Sequence, residues 1–83
     1  MNINDFSAGK RLKRVEIDTL LEGCEISDKL RLRLSDLKKK YTSEDAILYY
    51  CSERHEWDAG MGSEGYILVR DNEIVDGLVL RMN

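Results

Sequence analysis

The chain has 83 residues, 42% of them apolar and 35% charged, with a net charge of −3 and a sequence pI near 5.1. That length accommodates one domain and one core and excludes a second folding unit, while the apolar fraction excludes a disordered tail. Charge is uneven: residues 1–41 carry ten Lys/Arg against seven Asp/Glu, and residues 42–83 carry three against nine, so the basic groups gather in an acidic chain's first half.

The first helical spacing is Ile17, Leu20, Leu21 and Cys24, at i, i+3, i+4 and i+7. It predicts a helix that begins as early as Ala8 and stops at Gly23, with Leu12 and Val15 falling off the stripe. Ser27 then reads as an N-cap and Asp28 suits the positive end of a helix dipole. Leu30, Leu34, Leu37 and Tyr41 follow on one face, and Lys38-Lys39-Lys40 closes the helix at its negative end.

Beyond Thr42 the pattern changes. Ala46-Ile47-Leu48-Tyr49-Tyr50-Cys51 is short, aromatic and apolar at both alternating sets, which predicts a buried strand; Ser43-Glu44-Asp45 as the cap of a third helix is the competing reading. Residues 66–70 and 74–81 predict two more strands, joined by a hairpin turn at Asp71-Asn72 that sets Arg70 opposite Glu73. Asp76-Gly77 predicts a bulge in the last strand. The expected class is α+β, with two N-terminal helices packed on one face of a three-stranded antiparallel meander, α-α-β-β-β, as a single domain over 1–83.

One functional expectation comes from the strands. Ile47 and Leu48, Ile67 and Leu68, and Leu78 and Val79 are adjacent apolar residues that point to opposite faces. Two helices cover one face, so the other is expected to meet an identical subunit, or else the N-terminal arm with Phe6. Another expectation comes from Ser52 to Gly65, a long connection holding the only His and the only Trp. There Arg54, His55, Trp57 and Met61 are the side chains expected to meet a protein partner, with Trp57 as a core cap as the structural alternative.

Other constellations point to other chemistry. Gly60-Met61-Gly62-Ser63-Glu64-Gly65 matches G-x-G-x-x-G, but a strand follows it where a dinucleotide fingerprint needs a helix. Cys51, His55 and Asp58 lack the paired fourth ligand of a zinc site, and Cys51 with His55 as nucleophile and base lacks a pocket. Lys10, Arg11, Lys13, Arg14, Lys38, Lys39 and Lys40, grouped on adjoining helices, would meet nucleic-acid phosphates, but no aromatic stacking platform is recognisable beside them. The reading is a non-enzymatic interaction module, homodimeric through its sheet, with nucleic-acid binding and a small hydrolase as alternatives. No metal, cofactor or membrane is expected. Two widely spaced cysteines and no visible export signal predict a cytoplasmic protein with reduced thiols.

Overall fold

A computed structural model describes residues 1–20 and 25–82 of the chain. A short helix α1 (Ile3–Phe6) precedes strand β1 (Lys10–Val15) and a 3-10 turn at Ile17–Thr19. Helix α2 (Asp28–Lys40), strand β2 (Ala46–Ser52), a five-residue helix α3 (Arg54–Asp58), and strands β3 (Ser63–Arg70) and β4 (Glu73–Met82) complete the order. The strands form one antiparallel sheet ordered β1-β2-β3-β4.

The expected pair of helices over a three-stranded meander is therefore corrected, among the described residues, to one long helix and four strands. The error lies at Lys10–Val15. Leu12 and Val15 are off the helical stripe because, three apart in a strand, they point to opposite faces. Leu12 joins the cluster around Tyr50 and Val15 the cluster around Ile47. Strand β2 needs a hydrogen-bonding partner on each side, and pairing from Lys10↔Ser52 to Val15↔Ile47 supplies the second. Leu21, Gly23 and Cys24, which carried the end of the expected helix, lie outside the described residues.

Helix α2 follows its local signals. The Ser27 hydroxyl accepts the Leu30 N–H at 3.2 Å, and the helix closes on Lys38-Lys39-Lys40. Leu34 and Leu37 pack with Ile47, Leu68 and Leu78 to form the main core, with Leu20 beside them. The hairpin turn is as read: Asp71 and Asn72 both have positive φ, 52° and 64°, and Arg70 pairs with Glu73. The bulge is displaced. Gly77 pairs in register with Ile67, whereas the ladder skips Val75 and Leu80. Residues 46–52 are a strand, so the competing third helix from Ser43 does not form.

The far face of the sheet is covered in part by the chain itself. Tyr50, Ile67 and Val69 are buried with Ile3 and Phe6 against them, and the Phe6 ring stands edge-on to Tyr50 at 4.9 Å and 88°. The N-terminal segment is pinned there by Ile3 N–H to the Asn72 carbonyl and Ile74 N–H to the Met1 carbonyl, both at 2.8 Å. Asn2 caps α1 through its side chain. Helix α1 is thus a second layer of cover, supplied by the N-terminal arm with Phe6 that is the alternative to an identical subunit.

Candidate functional site

Antiparallel pairing arranges side chains in rows. On the face that carries α2, Val15, Ile47 and Leu68 form a row under Leu34 and Leu37. The next row is Lys13–Tyr49–Tyr66–Leu78, and the one after is Arg11–Cys51–Glu64–Arg81. Along these two rows Arg11, Lys13 and Arg81 are exposed, while Tyr49, Cys51, Glu64 and Tyr66 are half-buried.

The half-buried groups are linked. The Tyr49 hydroxyl donates to Glu64 Oε2, and Glu64 Oε1 lies 3.5 Å from Arg81 Nε. The Arg81 guanidinium sits 4.8 Å from the centre of the Trp57 ring, and Trp57 Nε1–H donates to the Ser52 carbonyl at 2.9 Å. Tyr49 and Tyr66 pack edge-to-face at 5.8 Å. Burial, and then the hydrogen bond to Glu64, push the Tyr49 hydroxyl above the usual phenol range. Tyr49 is therefore a neutral hydrogen-bond donor at physiological pH.

Local sequence explains how Trp57 reaches this position. The connection between β2 and β3 is ten residues, 53–62, with α3 as its first half. Backbone N–H groups of Glu56 and Trp57 bond the Glu53 carbonyl, which folds the helix back over the end of the sheet. Gly62 lies directly beneath the indole, where a Cβ would run into the ring. Gly65 meets the Leu78 carbonyl oxygen just as closely. Two glycines of the G-x-G-x-x-G match thus serve close packing.

Of the residues expected to meet a partner, Trp57 is half-buried against its own sheet. Met61 is 72% exposed, Arg54 is exposed beside Asp58 at 3.9 Å, and His55 Nδ1 faces the Glu53 carboxylate at 3.6 Å. Cys51 Sγ donates weakly to the Ser52 carbonyl at 3.5 Å, and among the described residues no contact joins it to His55. Among the described residues no three His, Cys, Asp or Glu side chains are grouped to hold a metal ion.

The basic residues do not share one helical surface. Lys10, Arg11, Lys13 and Arg14 belong to β1, whose alternation sends Arg11 and Lys13 to the α2 face and Lys10 and Arg14 to the other. The Lys10 ammonium lies 4.9 Å from the Phe6 ring centre. Lys38, Lys39 and Lys40 end α2, where Lys40 pairs with Asp76 at 3.2 Å and its carbonyl accepts from Arg70 at 3.4 Å. Arg70 closes β3 and Glu64 lies near its start, so these lysines and Arg11 occupy opposite ends of the sheet.

Sequence reading missed Tyr49, Tyr66, Glu64 and Arg81 as a group. Their meeting depends on strand register and on the bulge at Leu80 that brings Arg81 across from Glu64; period-two alternation was the one local signal. Among the described residues no helix is long and apolar enough to cross a membrane. Compared with known protein families, curated proteins and solved structures, the chain matches none.

Proposed function

We propose that this chain is a non-enzymatic protein-interaction module, and that its recognition surface is the end of the sheet where α3 folds over. The observation that carries this reading is the arrangement of Tyr49, Tyr66, Trp57 and Arg81 as one linked, half-exposed group beside the exposed Met61. Aromatic, Arg and Met side chains are those enriched at protein interfaces, and Trp, Tyr and Arg carry most of the binding energy there. The group is held in place before any partner arrives, so little side-chain entropy is lost on docking. Arg54 and His55 supply its polar rim, while Trp57 anchors the surface instead of projecting from it.

The experiment compares proteins cross-linked to the tagged chain with those cross-linked to a Met61→Asp/Arg81→Ala variant, and to Leu32→Asp on the exposed side of α2. The expected result is a set of specific partners lost with the first variant and kept with the second. Capture of the same set by all three chains overturns the reading.

A second reading is favoured by one feature. Lys13 and Arg11 lie in the same rows as Tyr49, Tyr66 and Arg81, so aromatic rings do sit beside basic side chains on one sheet face. Such faces stack the bases of single strands. Against it, Glu64 stands in the middle of the surface and the two tyrosines pack edge-to-face. A labelled oligothymidine titrated at about 50 mM salt, where phosphate contacts are strong, separates the two: saturable binding lost with Arg81→Ala supports the nucleic-acid reading and no binding removes it.

A further inference from the structure

A different surface runs along the outer side of β4. This strand ends the sheet, so alternate backbone N–H and C=O groups face away from β3. At Gly77 both outward groups are occupied by side chains: the N–H donates to Asp76 Oδ1 at 2.8 Å, and the carbonyl accepts from Arg33 at 3.1 Å. Two residues on, Val79 repeats the outward orientation, and its backbone has no such side-chain partner among the described residues.

Beside Val79 lies a groove of about 370 Å³ between α2 and β4. Leu30, Leu78 and Leu80 form its apolar floor, and Lys29 and Arg33 form its rim. Neither cation has a carboxylate partner within ion-pair distance among the described residues. Toward Gly77 the adjoining cleft is mixed in charge, lined by Arg33, Asp36, Lys40 and Asp76, with Asp76 already paired to Lys40.

The geometry points to an extended segment of a partner protein, with alternating acidic and apolar side chains, that adds to the outer edge of β4 in this groove. The backbone of that segment bonds the open N–H and C=O of Val79, its apolar side chains enter between Leu30 and Leu80, and its carboxylates meet Lys29 and Arg33. Arg33 exchanges the neutral Gly77 carbonyl for an anionic partner. An edge strand flanked by a helix supplies both halves of this mode, main-chain pairing for affinity and side-chain pockets for selectivity.

The test is fluorescence anisotropy with three labelled hexapeptides added to the full chain: alternating Glu and Val, alternating Lys and Val, and the Glu/Val peptide N-methylated at alternate residues. The Glu/Val peptide is expected to bind, and the other two to bind at least about tenfold more weakly, one for charge and one for lost backbone bonds. Arg33→Glu, an exposed substitution, is expected to weaken the Glu/Val peptide by about tenfold or more with an unchanged circular dichroism spectrum. Equal binding of the N-methylated peptide overturns the proposal, as does absence of Glu/Val binding at millimolar peptide or a dimer of the chain that occludes β4. Because Met61 and Arg81 lie outside this groove, Met61→Asp/Arg81→Ala leaves peptide binding unchanged, which separates this inference from the interface reading above.

Discussion

Asp45 has no side-chain surface open to solvent, yet it is fully satisfied. Arg70 holds it through Nε at 2.7 Å and a terminal nitrogen at 2.8 Å, and the Thr42 N–H donates at 2.9 Å. These bonds, the Arg70 bond foremost, keep the carboxyl well below the usual carboxylate range despite its burial. A carboxyl depressed in the folded state adds stability above its unfolded pKa, and loses it as pH falls toward its folded pKa. Thermal midpoints should therefore hold steady from neutral pH down to about 4 and fall below that. Asp45→Asn should melt several degrees lower at neutral pH, with the gap to wild type closing in acid. A gap that persists unchanged in strong acid would assign the loss to packing. Nothing near Asp45 in sequence marks Arg70 as its partner, whereas the positive φ of Asp71 and Asn72 was legible from residue type alone.

The elements differ in how openly they announce themselves. Helix α2 has a cap, a one-sided leucine stripe and closing lysines within a single segment, and it is where the sequence puts it. Strand β1 has two apolar residues among four cations and becomes a strand because β2 offers it an edge. Its Lys and Arg side chains then have a structural reason: charge along an edge strand opposes pairing with other chains. At the opposite edge, Arg33 and Asp76 cover the backbone of Gly77 alone, leaving that of Val79 without a side-chain partner among the described residues. Helix α1 is too short to be stable alone and is held by Ile3 and Phe6 against Tyr50. Phe6→Ala should cost about 2 kcal/mol in denaturant unfolding, less than a fully buried Phe because the ring is half-exposed. A change within a few tenths of a kcal/mol would show that α1 contributes no cover.

At the scale of the molecule, the sheet carries a core on each side. One is built on Leu34, Leu37, Ile47, Leu68 and Leu78, the other on Tyr50, Ile67 and Val69. Among the described residues the large apolar side chains left exposed, Met1, Leu32, Met61, Val75, Val79 and Met82, are distributed over the N-terminus, a helix back, a loop tip and one strand. Sedimentation equilibrium at tens of micromolar should give a monomer, and a Phe6→Ala variant should self-associate more readily because it uncovers Tyr50. A wild-type dimer under those conditions would place a second copy on β4.

Signals confined to a few neighbouring residues could be read directly: the Ser27 cap, the leucine stripe of α2, the turn at Asp71-Asn72 and the strand after Asp45. Each is set by backbone geometry and local hydrogen bonding, which neighbouring residues settle among themselves. The row from Lys13 to Tyr66, the chain of contacts from Tyr49 to Trp57, and the folding of Phe6 onto Tyr50 join residues far apart in the chain. Such contacts exist because register and face are fixed by which strand pairs with which, and that choice is made by burying apolar surface on both sides of the sheet at once.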